Sequence, residues 1–178
     1  GAMKWTKTDA GCDAGFHFKE AVVSVPGGFA CISAKGPFGI EAFDHSGNLM
    51  WSKSFGTAAD APRTLAASIG GLLLAGTTKI PLKQGYDFRV VSADTLGVVK
   101  LQATYPFAKY AYGMKVMAIG SASVIVAGVT DPNVARVLYF GADGTLVWDR
   151  VYPSPPDLVD IRAAAPGLGG IVFAGTLR

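Results

Sequence analysis

The residues able to do chemistry are few, and the most suggestive are carboxylates in pairs. Asp9 and Asp13 flank Ala-Gly-Cys near the start, and Asp157 and Asp160 flank Leu-Val near the end. Such pairs could serve a glycosidase as acid and base if the fold sets them at a suitable separation. Acids at these spacings are also ordinary turn residues, and that is the plainer reading. Asp143-Gly144 and Asp44-x-x-Gly47 lack the alternating acids of a calcium loop. His17 and His45 fall in different segments, and no His-x-x-x-His or Cys-x-x-Cys occurs, so a zinc site has no basis. There is no Gly-x-Ser-x-Gly elbow, and neither Gly-Pro-Phe-Gly nor Gly-Leu-Gly-Gly opens a helix that would make it a dinucleotide fingerprint. No catalytic residue is assigned, and no metal or cofactor is expected.

The cations are better organised. Counting back seven from Gly70, Ala122 and Gly169 gives Arg63, Lys115 and Arg162 at one repeated slot, with Glu20 seven before Gly27. Converging there, the three cations would attract an anion, and arginine suits two-point contact with carboxylate, sulfate or phosphate. The expected ligand is a carboxylated sugar or an acidic peptide end, with Glu20 able to pair one cation. Separate surface cations at strand starts are the plainer alternative. Three residues on, Val23, Ala66, Ala118 and Ala165 are small, as a tight convergence would need. Of the two cysteines, Cys31 aligns with the apolar Leu74, Val126 and Phe173 and reads first as a buried free thiol. A Cys12–Cys31 disulfide is the alternative in an oxidising compartment.

What must position these groups is a repeat. Phe43–Phe55, FDHSGNLMWSKSF, returns as Phe140–Tyr152, FGADGTLVWDRVY, and in degraded form as Val91–Tyr105. Each copy is followed by a strand-like stretch and an apolar run ending in a variant of Ala-Gly-Thr, at Ala75, Ala127 and Ala174. From Trp5 to Trp51 is 46 residues, from Trp51 to Leu101 is 50, and from Leu101 to Trp148 is 47. That period fits a unit of four antiparallel strands, A to D, and no stretch of ten residues keeps a helical period. In the second unit the strands are expected at Arg63–Ile69, Leu72–Gly76, Tyr86–Ser92 and Val98–Tyr105. Asp-His-Ser-Gly and Ala-Asp-Gly supply the positive φ of the C–D turn. Trp51 and Trp148 sit just past that turn in strand D, where packing between units is expected and ligand stacking is the alternative.

The pattern G-G-x-x-x-A-G-T … D-x-x-G-x-x-x-W-x-K-x-F resembles a repeat of bacterial secreted and surface β-propellers, distantly similar to the pyrroloquinoline-quinone-type and WD-repeat families. The resemblance runs from about Trp5 to Thr176. It implies an all-β propeller of about four blades, or three and a half blades of a larger or dimer-completed ring. Its motifs are glycines, turns and packing aromatics, so it implies no catalytic residue. The cofactor ligands of the quinone enzymes have no counterpart here.

Composition agrees. The chain has 178 residues, 50% hydrophobic and 16% charged, with 23 glycines. Net charge is +3, too weak and scattered for nucleic acid, and no apolar run is long enough for a membrane helix. Residues 1–3 read as a cleavage scar, 4–178 as one domain, and the repeats as about 4–55, 56–105, 106–152 and a partial 153–178. The chain opens on the D-type phrase Lys-Trp-Thr-Lys-Thr and closes on a B-type strand, so incomplete terminal blades are expected to self-associate, a dimer first. The functional expectation is a non-catalytic binding or assembly module of a bacterial secreted, periplasmic or cell-surface protein, its leader taken to be removed. A carbohydrate-active hydrolase or lyase with acids at the channel mouth, and a structural fragment with no ligand, are the alternatives.

Overall fold

A computed structural model describes residues 12, 22–34, 37–68, 71–80, 85–106, 111–119, 123–130, 134–141, 145–153, 158–167 and 170–177; over 111–134 and most of 153–177 it describes the backbone alone. Among the described residues every element is a strand. The first sheet is β1 (Val22–Val25), β2 (Gly28–Ile32), β3 (Gly39–Asp44) and β4 (Leu49–Ser54), in that order. The second is β5 (Asp60–Ser68), β6 (Gly71–Lys79), β7 (Tyr86–Ala93) and β8 (Val99–Tyr105). The third is β9 (Ala111–Ile119), β10 (Ser123–Thr130), β11 (Val134–Phe140) and β12 (Leu146–Pro153). The fourth has two strands, β13 (Leu158–Gly167) and β14 (Gly170–Leu177). All pairings are antiparallel.

The expected four-stranded antiparallel units are therefore present three times over, each a simple meander. In the second, the first strand starts at Asp60 rather than Arg63 and the second runs on to Lys79. The C–D turns form as their residues dictate. Asp44 accepts the Ser46 and Asn48 amides at 2.8 and 2.9 Å, and Asp94 accepts those of Leu96 and Val98 at 2.9 and 2.8 Å. Gly47 (φ 81°) and Gly97 (φ 76°) then close the turns in the left-handed region that side chains avoid.

Past each turn the fourth strand carries one extra residue, a feature the repeat conceals. Phe43 faces Leu49 but Ala42 faces Trp51, which leaves Met50 over; Lys100 and Val147 are the same extra residue in β8 and β12. Because strand side chains alternate, one inserted residue moves everything beyond it to the opposite face. The bulge is what turns Trp51 and Trp148 away from the Leu49 and Leu146 side of their strands.

Successive sheets meet along their first strands, β1 with β5, β5 with β9 and β9 with β13. No contact of comparable extent joins β13 to β1 among the described residues. The core lies in the seams between sheets. Ala30, Ile32, Ile40 and Ala42 of the first sheet close on Leu65, Leu72, Leu74, Val91 and Ala93 of the second. Leu73, Ala75, Phe88 and Val90 on the other side of the second sheet close on Leu138 and Phe140 of the third. The first three strands of the second sheet thus bury apolar residues on both faces, which explains the continuous run Leu72–Ala75.

Candidate functional site

The expected anion site divides between described and undescribed residues. Arg63 is half-buried on β5 and already engaged in an interaction of its own. Glu20 and the side chains of Lys115 and Arg162 lie outside the described residues, so convergence of the four is not among the described features. The backbone register does bear on the alignment. Arg63 is the extra residue of a bulge between Pro62 and Thr64, and Arg162 that of a bulge between Ile161 and Ala163. In the third sheet Ala127 pairs with Lys115 and Val129 with Tyr112, so Gly113 and Met114 share the bulge. The cause is the hairpin: Ser68 pairs with Gly71 and Gly167 with Gly170, but Ile119 pairs with Ser123, one residue longer. By register Met114 occupies the Arg63 slot, and Lys115 lies one residue on.

Of the paired acids, Asp9, Asp13 and Asp157 lie outside the described residues, as does the side chain of Asp160. So do His17 and Trp5. His45 is an exposed residue of the first C–D turn, and no cluster of metal-binding side chains occurs among the described residues. Cys31 is fully buried, as its slot requires, but it is not a thiol: it is bonded to Cys12 with Cα atoms 5.6 Å apart. The free-thiol reading is thereby corrected. Cys12 forms an isolated antiparallel bridge with Ser33, two residues from Cys31 on β2, and that brings the sulfurs together. Beside the bond, directly across from Cys31, Glu41 is buried within reach of the Ser33 and Ser52 hydroxyls at 3.3 and 3.4 Å.

The structure organises two devices, the first of which repeats from one seam to the next. The first is an arginine clasp. Arg89 and Arg136 stand five residues before Asp94 and Gly141, the equivalent starts of the C–D turns. Arg89 Nη2 donates to the Phe55 carbonyl at 2.7 Å, and Gln102 Nε2 donates to the same oxygen at 3.0 Å. Arg136 Nη1 donates to the Pro106 carbonyl, and its Nε donates to Asp149 Oδ1 at 2.8 Å. Each sheet thus grips the link leaving the sheet before it. Arg89 also lies 5.6 Å from the Phe38 ring centre and 3.7 Å from Asp60 Oδ2. Burial pushes the Asp60 pKa up, but hydrogen bonds from Thr78 and Thr57 and the charge of Arg89 outweigh it and hold the carboxyl below its ordinary value. The clasp leaves a sequence trace, Arg-Val at one distance from each turn, which counting from the glycines passes over.

The second device joins strand D to the next turn. Trp51 Nε1 donates to the Thr95 carbonyl at 3.0 Å, and Lys53 Nζ donates to the Gly97 carbonyl at 3.0 Å. A Cβ on Gly97 would stand 3.1 Å from both the Trp51 ring and Lys53, so glycine lets the turn lie flat on the indole. The expected packing role holds for Trp51. Trp148 differs: the fourth sheet has no third and fourth strands, and so no C–D turn, among the described residues. Instead Trp148 stacks on Tyr139, centres 5.2 Å apart and 8° from parallel, with the Arg150 guanidinium 5.3 Å away. Trp148 and Arg150 repeat Trp51 and Lys53 position for position.

The open side continues onto β14. On that side Phe173 is 36% exposed where its counterpart Leu74 is 0%; on the opposite face of the strand Val172 is 61% exposed where Leu73 is 4%. Chemically the arrangement offers backbone donors and acceptors along a strand edge, apolar side chains, one indole and one guanidinium. Such groups can pair with a polypeptide strand. No protein-family model matches this chain, and a search of curated proteins returns no match either.

Proposed function

We propose that the chain is a non-catalytic binding or assembly module, a β-propeller segment of about four blades whose incomplete terminal blade is its assembly surface. The single observation behind this reading is the two-stranded fourth sheet, where apolar positions buried elsewhere in the repeat stand open. An open edge with exposed apolar residues invites pairing with another chain. Left to itself, the chain self-associates there, with a dimer as the expected state. The Cys12–Cys31 bond fits a secreted, periplasmic or surface setting, since such bonds persist where the surroundings are oxidising. The resemblance to bacterial secreted propeller repeats points the same way. Light scattering over a dilution series tests the reading. A dimer mass at about 100 µM, weakened by Val172→Lys, is expected, because interfaces of ordinary size persist at such concentrations. A strict monomer there, unaffected by the substitution, contradicts self-association.

A further inference from the structure

We infer that Glu41 guards the Cys12–Cys31 bond. Its buried carboxylate denies Cys31 the negative charge that thiol exchange would place there, and so makes the bond a lasting tie rather than a redox switch. Cys31 is fully buried and Cys12 only half-buried, so an attacking thiolate reaches the Cys12 sulfur first. Attack forms a bond from the reductant to Cys12 Sγ, breaks the Sγ–Sγ bond and expels Cys31 as a thiolate. A second reductant thiolate then attacks the reductant's sulfur in that mixed disulfide, which frees Cys12 and leaves the reductant oxidised. The protons lost by the two reductant thiols end on Cys12 and Cys31.

What Cys31 meets as it leaves is set by the ladder. Glu41 is its register partner on β3, and side chains directly opposite share a face with Cβ atoms about 5 Å apart. Glu41 is 1% exposed, and the Ser33 and Ser52 hydroxyls both donate to its Oε1. Neither donor is a cation, and Glu41 forms no ion pair among the described residues. Two like charges that close repel strongly where water is excluded. A sulfur that leaves less readily as thiolate slows the exchange.

The acid is also out of keeping with the repeat. On the matching rungs of the second and third sheets, Leu74 faces Val91 and Val126 faces Leu138. Val91 and Leu138 are fully buried. A carboxyl therefore stands in an apolar slot in the sheet that carries the disulfide, directly opposite one of its sulfurs. Burying it there opposes folding, and its nearest described neighbours are two hydroxyls and the bond itself.

The test follows reduction of the folded, oxidised protein by 2-mercaptoethanol, with free thiols alkylated and located by mass spectrometry. Glu41→Gln keeps the shape and removes the charge. It should speed loss of the bond at least about tenfold where the rate rises in proportion to thiol. Glu41→Val, which installs the residue of the second-sheet slot, should do the same. The trapped mixed disulfide should lie on Cys12, with Cys31 as the free thiol. Ile40→Val is the control, since Ile40 is next to Glu41 on β3 but packs into the seam with the second sheet. It should leave the rate of the folded protein unchanged. A rate unchanged or lowered by Glu41→Gln overturns the inference, as does a mixed disulfide on Cys31. A rate that follows the urea midpoint alike through the Glu41 and Ile40 variants also overturns it, because unfolding would then control the bond.

Discussion

Trp51→Phe and Trp148→Phe make the same change in the same slot, and their costs should differ. Full removal of a large aromatic from a core costs about 3–5 kcal/mol. Trp51 and Trp148 are both half-buried, so roughly half of that, about 2 kcal/mol, is at stake in packing at each. Alanine at Trp51 also loses the bond to the Thr95 carbonyl, about 1 kcal/mol, since the acceptor is left in a seam. The sum is about 3 kcal/mol, or a fall in Tm of roughly 6–12 °C for a chain of this size. Alanine at Trp148 loses a stack on Tyr139, worth about 1 kcal/mol, and an exposed cation contact with Arg150, worth about 0.5 kcal/mol, so the two alanine variants should cost about the same. Phenylalanine separates them: Trp51→Phe keeps a ring but loses about 1 kcal/mol with its N–H, while Trp148→Phe keeps a ring on Tyr139 and should cost less. Urea unfolding followed by circular dichroism, at a concentration dilute enough for monomer, measures both. Equal costs of the two phenylalanine variants would show that the Trp148 N–H is bonded in the free chain and would refute the open seam.

Gly97→Ala should cost roughly 1–2 kcal/mol from its left-handed backbone alone and more from contact with Trp51 and Lys53, measured by the same unfolding. Reducing the Cys12–Cys31 bond, which closes a span of 19 residues, should destabilise the chain by about 3 kcal/mol; unchanged urea midpoints with and without reductant would contradict this. The Asp60 carboxyl is held below its usual 3.8, so its stabilising share is complete above that value and is lost as pH falls through the lower folded one. Asp60→Asn should therefore flatten the acid limb of the stability–pH curve and leave its shape above neutral pH unchanged. Arg89→Met should cost about 1–3 kcal/mol through the lost grip on the Phe55 carbonyl, and Gln102→Ala less, because Arg89 still satisfies that oxygen.

Much of the sheet architecture was legible because local chemistry and repetition agree. Asp44 and Asp94 fix their turns through contacts two and four residues away, so a short phrase contains the whole cause. The extra residues Met50, Lys100 and Val147 were not legible, because a bulge leaves no mark in a hydrophobic pattern that tolerates either face. That is why Trp51 could be assigned to packing but not to a particular turn. Lys115 shows the same weakness: one added hairpin residue shifts it by one place, and counting from glycines cannot sense the shift. Cys31 was placed correctly in the interior, yet its partner depended on where Cys12 crosses β2, which spacing does not determine. The arginine clasps span 34 and 30 residues between one sheet and the link before it, beyond the reach of any local pattern, although their shared distance from the turns was there to be read.

Hydrogen exchange along β14 reads the proposed assembly edge residue by residue, because strand pairing protects edge amides. The comparison strand is β6, whose amides are paired on both sides within the chain. Self-association there leaves alternate amides of Gly170–Leu177 exchanging quickly in dilute solution and protects them as concentration rises. Fast exchange at every concentration would contradict it.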